Sequence, residues 1–168
     1  MIKEKIITSR LIIKSFEEKN RRTLEELLLN DEIKKTYMIP DFNSKEELDK
    51  TITKLFDLSY SKDHFVRGIY LLDKLIGFVN DVDMGEDYIE LGYVIHPLFH
   101  NKGYATEMLK DVIEELLKTY QKVIAAAFSN NLASIKVMQK CGMEKIAREE
   151  YILYHGINHH CVYYQTKY

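Results

Sequence analysis

The chain has 168 residues, is 46% hydrophobic and 30% charged, and carries a formal net charge of −2. A chain of this length can bury roughly 70% of its unfolded surface, enough for one core without a disulfide or metal staple. The slight acidity disfavours non-specific nucleic-acid binding, no apolar run nears the ~18 residues that a membrane helix needs, and two cysteines cannot form a disulfide framework. The opening MIKEKIITSR lacks an apolar signal core, so a cytoplasmic protein with Cys141 and Cys161 reduced is expected, without membrane or nucleic-acid partners.

In chain order, residues 6–14 are β-branched and mostly alternating, which predicts a strand. Residues 17–29 and 44–61 carry leucine, isoleucine and phenylalanine at helical spacing, and Ser44 with Glu47 fits a capping box. Between these helices, residues 36–42 are apolar but aperiodic, which marks a candidate substrate lid carrying Tyr37 and Phe42. Residues 64–72, 75–84 and 88–96 read as three strands of an antiparallel meander, with the first turn at Asp73-Lys74. Residues 103–118 form an apolar-striped helix through Ala105, Met108, Leu109, Val112, Ile113, Leu116 and Leu117. Residues 122–128, KVIAAAF, read as a buried strand; strand, helix and strand imply one parallel pair with a right-handed crossover. A shorter helix over 131–140 ends at Gly142, and strands 143–154 and 157–167 close a hairpin about His155-Gly156. No repeat or linker interrupts the chain, which reads as one α+β domain over residues 1–168 with a mixed sheet.

The residues that can carry chemistry gather in the second half. Around Gly103 a strand, a glycine turn and a helix start succeed one another, a geometry that offers free backbone N–H groups to an anion. Lys102 adds positive charge there. An ordinary strand-to-helix turn would read the same way, because the segment is neither a P-loop nor a dinucleotide fingerprint. Strand alternation puts Glu90, Gly92, Val94 and His96 on one face. Glu90 and His96 are then roughly 20 Å apart at ~3.3 Å per residue, too far for a dyad. Glu90 suits a base acting on an incoming amine, directly or through water, or a solvated strand end. Asp81, Asp83, Glu86, Asp87 and Glu90 form a patch that would draw a cation or simply a charged turn. Asn131 and Ser134 share a helix face, where Asn131 also suits the N-cap. His155, His159, His160 and Cys161 have no standard zinc spacing, so no metal site is expected. Tyr37, Tyr151 and Tyr154 are candidates for an acceptor pocket or for core packing.

Five segments in order resemble the GNAT superfamily of acetyl-CoA-dependent N-acetyltransferases, and in particular its ribosomal-protein N-terminal acetyltransferase branch. Thr8-Ser9-Arg10-Leu11 is similar to the branch's T-x-R-L strand, Ile76-Gly77 to its I-G strand and Glu90-Leu91-Gly92-Tyr93 to its E-I-G-Y strand. His100 to Ala105, followed by Thr106-Glu107, resembles its pyrophosphate loop, and Asn131-Leu132-Ala133-Ser134 with Lys140-Cys141-Gly142-Met143 resembles N-x-A-S…K-x-G-F. The resemblance implies a mostly antiparallel mixed sheet flanked by helices, with one parallel strand pair at the cofactor site. It implies that acetyl-CoA pairs with Val94, Ile95 and His96, sets its pyrophosphate on Lys102, Gly103, Tyr104, Ala105 and Thr106, and meets Asn131. The acceptor is then a primary amine, a protein N-terminus or a small amine, lined by Tyr37, Phe42 and Tyr151, with Glu90 as base. Where many relatives carry a general-acid tyrosine this chain has Met138, which points to Ser134 as the donor to sulfur, with Cys141 or water as rivals. His100 stands where relatives have Gln or Arg, which would weaken the loop's hydrogen bonds. A non-catalytic acetyl-CoA sensor is the competing reading, and the subunits are expected as monomers or homodimers.

Overall fold

The computed structural model describes residues 2–167. Eight strands form one sheet in the order β1-β2-β3-β4-β5-β6-β8-β7. Every neighbouring pair is antiparallel except β5 and β6. The expected α+β class with a single parallel pair is therefore the observed one.

The predicted first strand is broken in two. Strands β1 (Ile6–Ile7) and β2 (Leu11–Lys14) pair with each other around Thr8, whose hydroxyl accepts from the Leu11 N–H at 2.9 Å. The break turns Thr8 and Arg10 away from the sheet, where they meet a partner described below. After a 3-10 turn at Glu18–Asn20, helix α1 (Arg21–Leu28) buries Leu24, Leu27 and Leu28. A one-turn helix, α2 (Asp31–Lys34), follows; it is too short to show a period and is held by the Asn30 side chain accepting from Ile33 N–H at 3.1 Å. In α3 (Lys45–Tyr60) the expected cap is present: Ser44 accepts from Glu47 N–H at 3.2 Å, and the Glu47 carboxylate accepts from Asn43 N–H at 2.8 Å.

Strands β3 (Val66–Leu71), β4 (Lys74–Met84) and β5 (Tyr88–Ile95) form the meander. Its first turn is Leu72-Asp73 rather than Asp73-Lys74, with Leu72 in the left-handed region at φ 55°. Helix α4 (Tyr104–Leu116) buries Met108, Leu109, Val112, Ile113 and Leu116, while Leu117 lies past its end and is partly exposed. Strand β6 (Lys122–Phe128), helix α5 (Leu132–Lys140), and strands β7 (Met143–Tyr154) and β8 (Ile157–Thr166) complete the chain. His155 and Gly156 both have positive φ, 48° and 74°, which matches a tight turn to the twist of the hairpin.

The sheet divides two cores. On one face α4 packs on Ile13, Ile69, Ile76, Ile89, Leu91 and Ile95. On the other, α1, α2 and α3 pack on Val66, Tyr70, Phe78 and Val94. The period-2 alternation of β5 thus holds as predicted, with its odd positions facing α4. A third, smaller cluster of Ile124, Phe128, Cys161 and Tyr163 lies where β6 and β8 meet β7. Among the described residues, no helix is long and apolar enough to cross a membrane.

Candidate active site

The parallel strands β5 and β6 pair only from Tyr88–Lys122 to Leu91–Ala125. Beyond that point β5 continues along β4, and β6 continues along β8. The two strands separate like the arms of a V. The peptide groups of β5 from Gly92 to Ile95 therefore lack a strand partner on one side, and buried backbone groups need partners. A cavity of about 780 Å³ begins at this opening and is lined by Tyr93, Val94, Ile95, the loop at 103–106 and the start of α5. Its volume falls within the range of small-molecule and cofactor sites.

The loop after β5 has the strand, glycine turn and helix start that were expected. Gly103 has φ 80°, a conformation costly for any side chain, and it caps α4. Tyr104, Ala105 and Thr106 follow in the first turn, line the cavity and have no carbonyl partner for their N–H groups among the described residues. Lys102 faces elsewhere: its carbonyl accepts from Arg10 at 3.0 Å, and the residue is absent from the cavity wall. His96 leaves the strand to cap the turn at Pro97–Phe99 and also lies outside the cavity wall. His100 does not loosen the loop. Its Nε2 donates to the Ile95 carbonyl at 2.6 Å, so the imidazole ties the loop to the open edge of β5.

The break in the first strand explains the rest of this loop. Glu107, in the first turn of α4, accepts from the Thr8 hydroxyl at 2.6 Å, from Arg10 N–H at 2.6 Å and from Arg10 Nε at 2.7 Å. Burial alone would raise the Glu107 carboxyl; these bonds overcome it and hold its pKa below the ordinary 4.5. The Arg10 guanidinium also lies 4.4 Å from the Tyr104 ring centroid. Two residues of the N-terminal turn thereby clamp a loop nearly a hundred positions away.

Across the opening, Asn131 caps α5 by accepting from Ser134 N–H at 3.2 Å, and both residues line the cavity. The Ser134 hydroxyl meets the Tyr93 hydroxyl at 2.9 Å. Tyr93 was readable only as an apolar-face strand residue, because its partner stands 41 positions later. Met138 is fully buried in the α4-side core, so that helix position faces packing rather than the cavity. Cys141 donates weakly to the Thr106 carbonyl at 3.5 Å, and burial pushes its thiol up to about 11.

Glu90 sits on the opposite face of β5 from Tyr93 and is 5% exposed, so it is not a solvated strand end. Its Oε2 accepts from Arg148 at 2.8 Å, while Oε1 makes no hydrogen bond among the described residues. Three residues of β7, from Ile146 to Arg148, bulge opposite a single residue of β8, and the bulge re-aims a side chain there. Arg148 also pairs with Glu150 at 3.0 Å and lies over the Tyr163 ring at 3.8 Å. Burial works against its charge, but the two carboxylates raise its pKa above the usual arginine value.

The apolar segment at 36–42 is docked rather than loose. The Tyr154 hydroxyl accepts from Ile39 N–H at 3.2 Å and lies 3.1 Å from the Ile39 carbonyl, to which it donates. Tyr37 lines the cavity and donates to Asn80 at 2.6 Å, and burial raises its pKa. Its ring fits against β5 because Gly92 has no side chain: a Cβ there would stand 3.1 Å from it. Phe42 packs at the edge of the α1–α3 core, and Tyr151 is 74% exposed and stacks on His160; neither reaches the cavity. The late histidines take aromatic partners, His159 on Phe128 and His155 on Tyr154. Among the described residues no group of three metal-binding side chains converges.

The acetyltransferase (GNAT) domain family matches residues 10–144. The chain is 31% identical over 146 residues to the uncharacterized N-acetyltransferase YnaD of Bacillus subtilis, covering 83% of this chain and 82% of that protein. Its fold is similar to a Salmonella typhimurium acetyl transferase described as modifying the N-terminal serine of ribosomal protein L7/L12. The TM-score is 0.82 at 15% identity, covering 98% and 99% of the two chains. It is similar too to a Vibrio cholerae spermidine N-acetyltransferase solved with CoA and spermine, with a TM-score of 0.78 at 17% identity, covering 94% and 95%. A strand pair that opens into a V, a helix N-terminus beneath it and the matched residues together make this chain a member of the GNAT acetyltransferase family and an acyltransferase.

Proposed function

We propose that residues 1–168 act as one domain that transfers an acetyl group from acetyl-CoA to a primary amine, foremost a protein or peptide N-terminal α-amine. The observation that carries this reading is the cavity at the opening of β5 and β6, with free N–H groups at one end and the Tyr93–Ser134 hydroxyls in its wall. The pyrophosphate would lie on the N–H groups of Tyr104, Ala105 and Thr106, favoured by the helix dipole. The pantetheine would take the unpartnered edge of β5 around Val94 and Ile95, with Asn131 across from it. The acceptor would approach from the face of Tyr37 and Glu90.

An α-amine has a pKa of about 7.7–8.0, so part of it is neutral near pH 7 and only modest base assistance is required. The free Oε1 of Glu90 is suited to take the proton through water. Ser134 would donate to the departing sulfur. The acidic stretch gives little support to a polycation: Asp81, Asp83, Asp87 and Glu90 are each already bonded within the protein. A polyamine or aminoglycoside acceptor is the second reading, because the spermidine enzyme shares the fold.

The test is acetyl-CoA-dependent thiol release across peptides with Ser, Ala and Met N-termini, polyamines, aminoglycosides and amino acids. Release with peptides supports the reading; release confined to polyamines replaces the acceptor class. Tight acetyl-CoA binding without turnover on any amine would identify a sensor.

A further inference from the structure

We infer that Tyr93 is a positioning residue that orients the Ser134 hydroxyl as hydrogen-bond donor to the leaving sulfur of the thioester. The inference rests on the acetyl-transfer reading above. A serine in mid-helix turns its hydroxyl back to the preceding turn, but Ser134 lies in the first turn of α5. There its hydroxyl meets that of Tyr93 at 2.9 Å, across the gap where β5 and α5 face each other. Both line the same cavity.

Either hydroxyl can donate in this bond, and the inference makes Tyr93 the donor. The Tyr93 ring packs against the α4-side core, and burial drives its pKa up to about 12. The phenol therefore keeps its proton at any working pH, and no competing acceptor for it occurs among the described residues. If Tyr93 donates, the Ser134 oxygen accepts and its own hydrogen is left for a partner in the cavity. Neither alternative donor is placed for the task. Met138 is buried and cannot donate, and Cys141 spends its proton on the Thr106 carbonyl. A hydroxyl that relatives carry on the helix is here supplied from the strand and acts through a serine.

The chemistry balances without a proton leaving Tyr93. The amine nitrogen bonds to the carbonyl carbon, the C–S bond breaks, and its electron pair leaves on sulfur. The Ser134 O–H stabilises that thiolate as it forms. The proton lost by nitrogen passes through water, and the sulfur is protonated from solvent. A donor fixed beforehand stabilises developing charge without reorganising during the reaction.

The experiment titrates the thiol of CoA bound to the protein, read by ultraviolet thiolate absorbance, in wild type, Tyr93→Phe, Ser134→Ala and the double variant. The other titratable groups that line the cavity, Glu32, Lys35, Tyr37, His100, Tyr104, Lys136 and Lys140, and Cys141 beside Tyr93, are the same in all four. Either single change is expected to raise the thiol pKa by about half a unit or more, and the double variant no further. In turnover, Tyr93→Phe is expected to lower kcat about tenfold and leave the KM for acetyl-CoA unchanged. An unshifted titration in Tyr93→Phe, or additive shifts in the double variant, overturns the inference. So does a loss of melting temperature and a rise in KM with the titration unmoved, the pattern of a purely structural tyrosine. Failure of the wild type to bind CoA overturns the cofactor reading itself, and this inference with it.

Discussion

The two walls of the cleft are built by different means. The cofactor wall is local: a strand end, a glycine turn and a helix start lie in one stretch from Gly92 to Glu107. The proposed acceptor side is assembled from distant pieces: Tyr37 lines the cavity from a loop, whereas Glu90 on β5, Arg148 on a bulge of β7 and Tyr154 at a hairpin tip lie outside the cavity wall. The first wall can hold its shape through backbone geometry that many sequences share. The second depends on single side-chain contacts, so substitutions there would alter acceptor choice without disturbing the cofactor. Even the local wall borrows one long-range clamp, from Thr8 and Arg10 to Glu107.

The largest effect is expected from Glu107→Ala. It leaves the Arg10 N–H without its acceptor and the Thr8 hydroxyl with only the Leu11 carbonyl at 3.3 Å, and loss of a network of charged hydrogen bonds costs about 2–3 kcal/mol. Denaturant melts should show that loss, with weaker acetyl-CoA binding; an unchanged affinity would mean that the loop holds itself and the cofactor wall is local in full. The pH dependence follows from the same residue. Its pKa is lowered in the folded state, so its stabilisation is complete above the unfolded value and fades as pH falls through the folded one. The stability gap between wild type and Glu107→Gln should stay constant above about pH 5 and close below about pH 4.5.

Next in size is Glu90→Gln. Arg148 keeps Glu150 and is partly exposed, so the stability cost is expected to be about 1–2 kcal/mol, less than for an isolated buried pair. If Glu90 is the base, turnover falls most at low pH, where the amine is charged. A uniform loss matched by Arg148→Met would instead make the pair a strut of the acceptor wall.

Tyr154→Phe removes the hydroxyl that holds Ile39. A cost of about 1 kcal/mol is expected, together with faster amide exchange over residues 37–41. The KM for the acceptor should rise severalfold while that for acetyl-CoA stays put. Equal changes in both would merge the two walls into one unit. The smallest effect is expected from Asp41→Asn, which breaks an exposed contact to His155 at 3.4 Å and should change stability by less than about 0.5 kcal/mol.

By itself the sequence determined most of the elements and the strand–glycine–helix turn at Gly103. Apolar spacing marked α1, α3 and α4, Gly142 marked the end of α5, alternation marked the faces of β5, and Gly103 marked the turn into the start of α4. These signals are local: period, caps and turn residues act within a few positions, so a linear reading finds them. What escaped was whatever two distant residues make together. The first strand reads as continuous because its β-branched pattern is; only Glu107 gives Thr8 and Arg10 a reason to turn out. Alternation separates Tyr93 from Glu90, yet nothing along the chain says that α5 will bring Ser134 to it. An acid-rich stretch looks like a cation trap until the fold shows four of its five members, all but Glu86, already bonded. Tyr151 and Phe42 were placed at the cleft by residue type, and the twist of the hairpin and the packing of α3 took them elsewhere. Tertiary structure alone decided these matters, because a hydrogen bond between distant residues depends on where two side chains arrive in space, and that is set by every element packed between them.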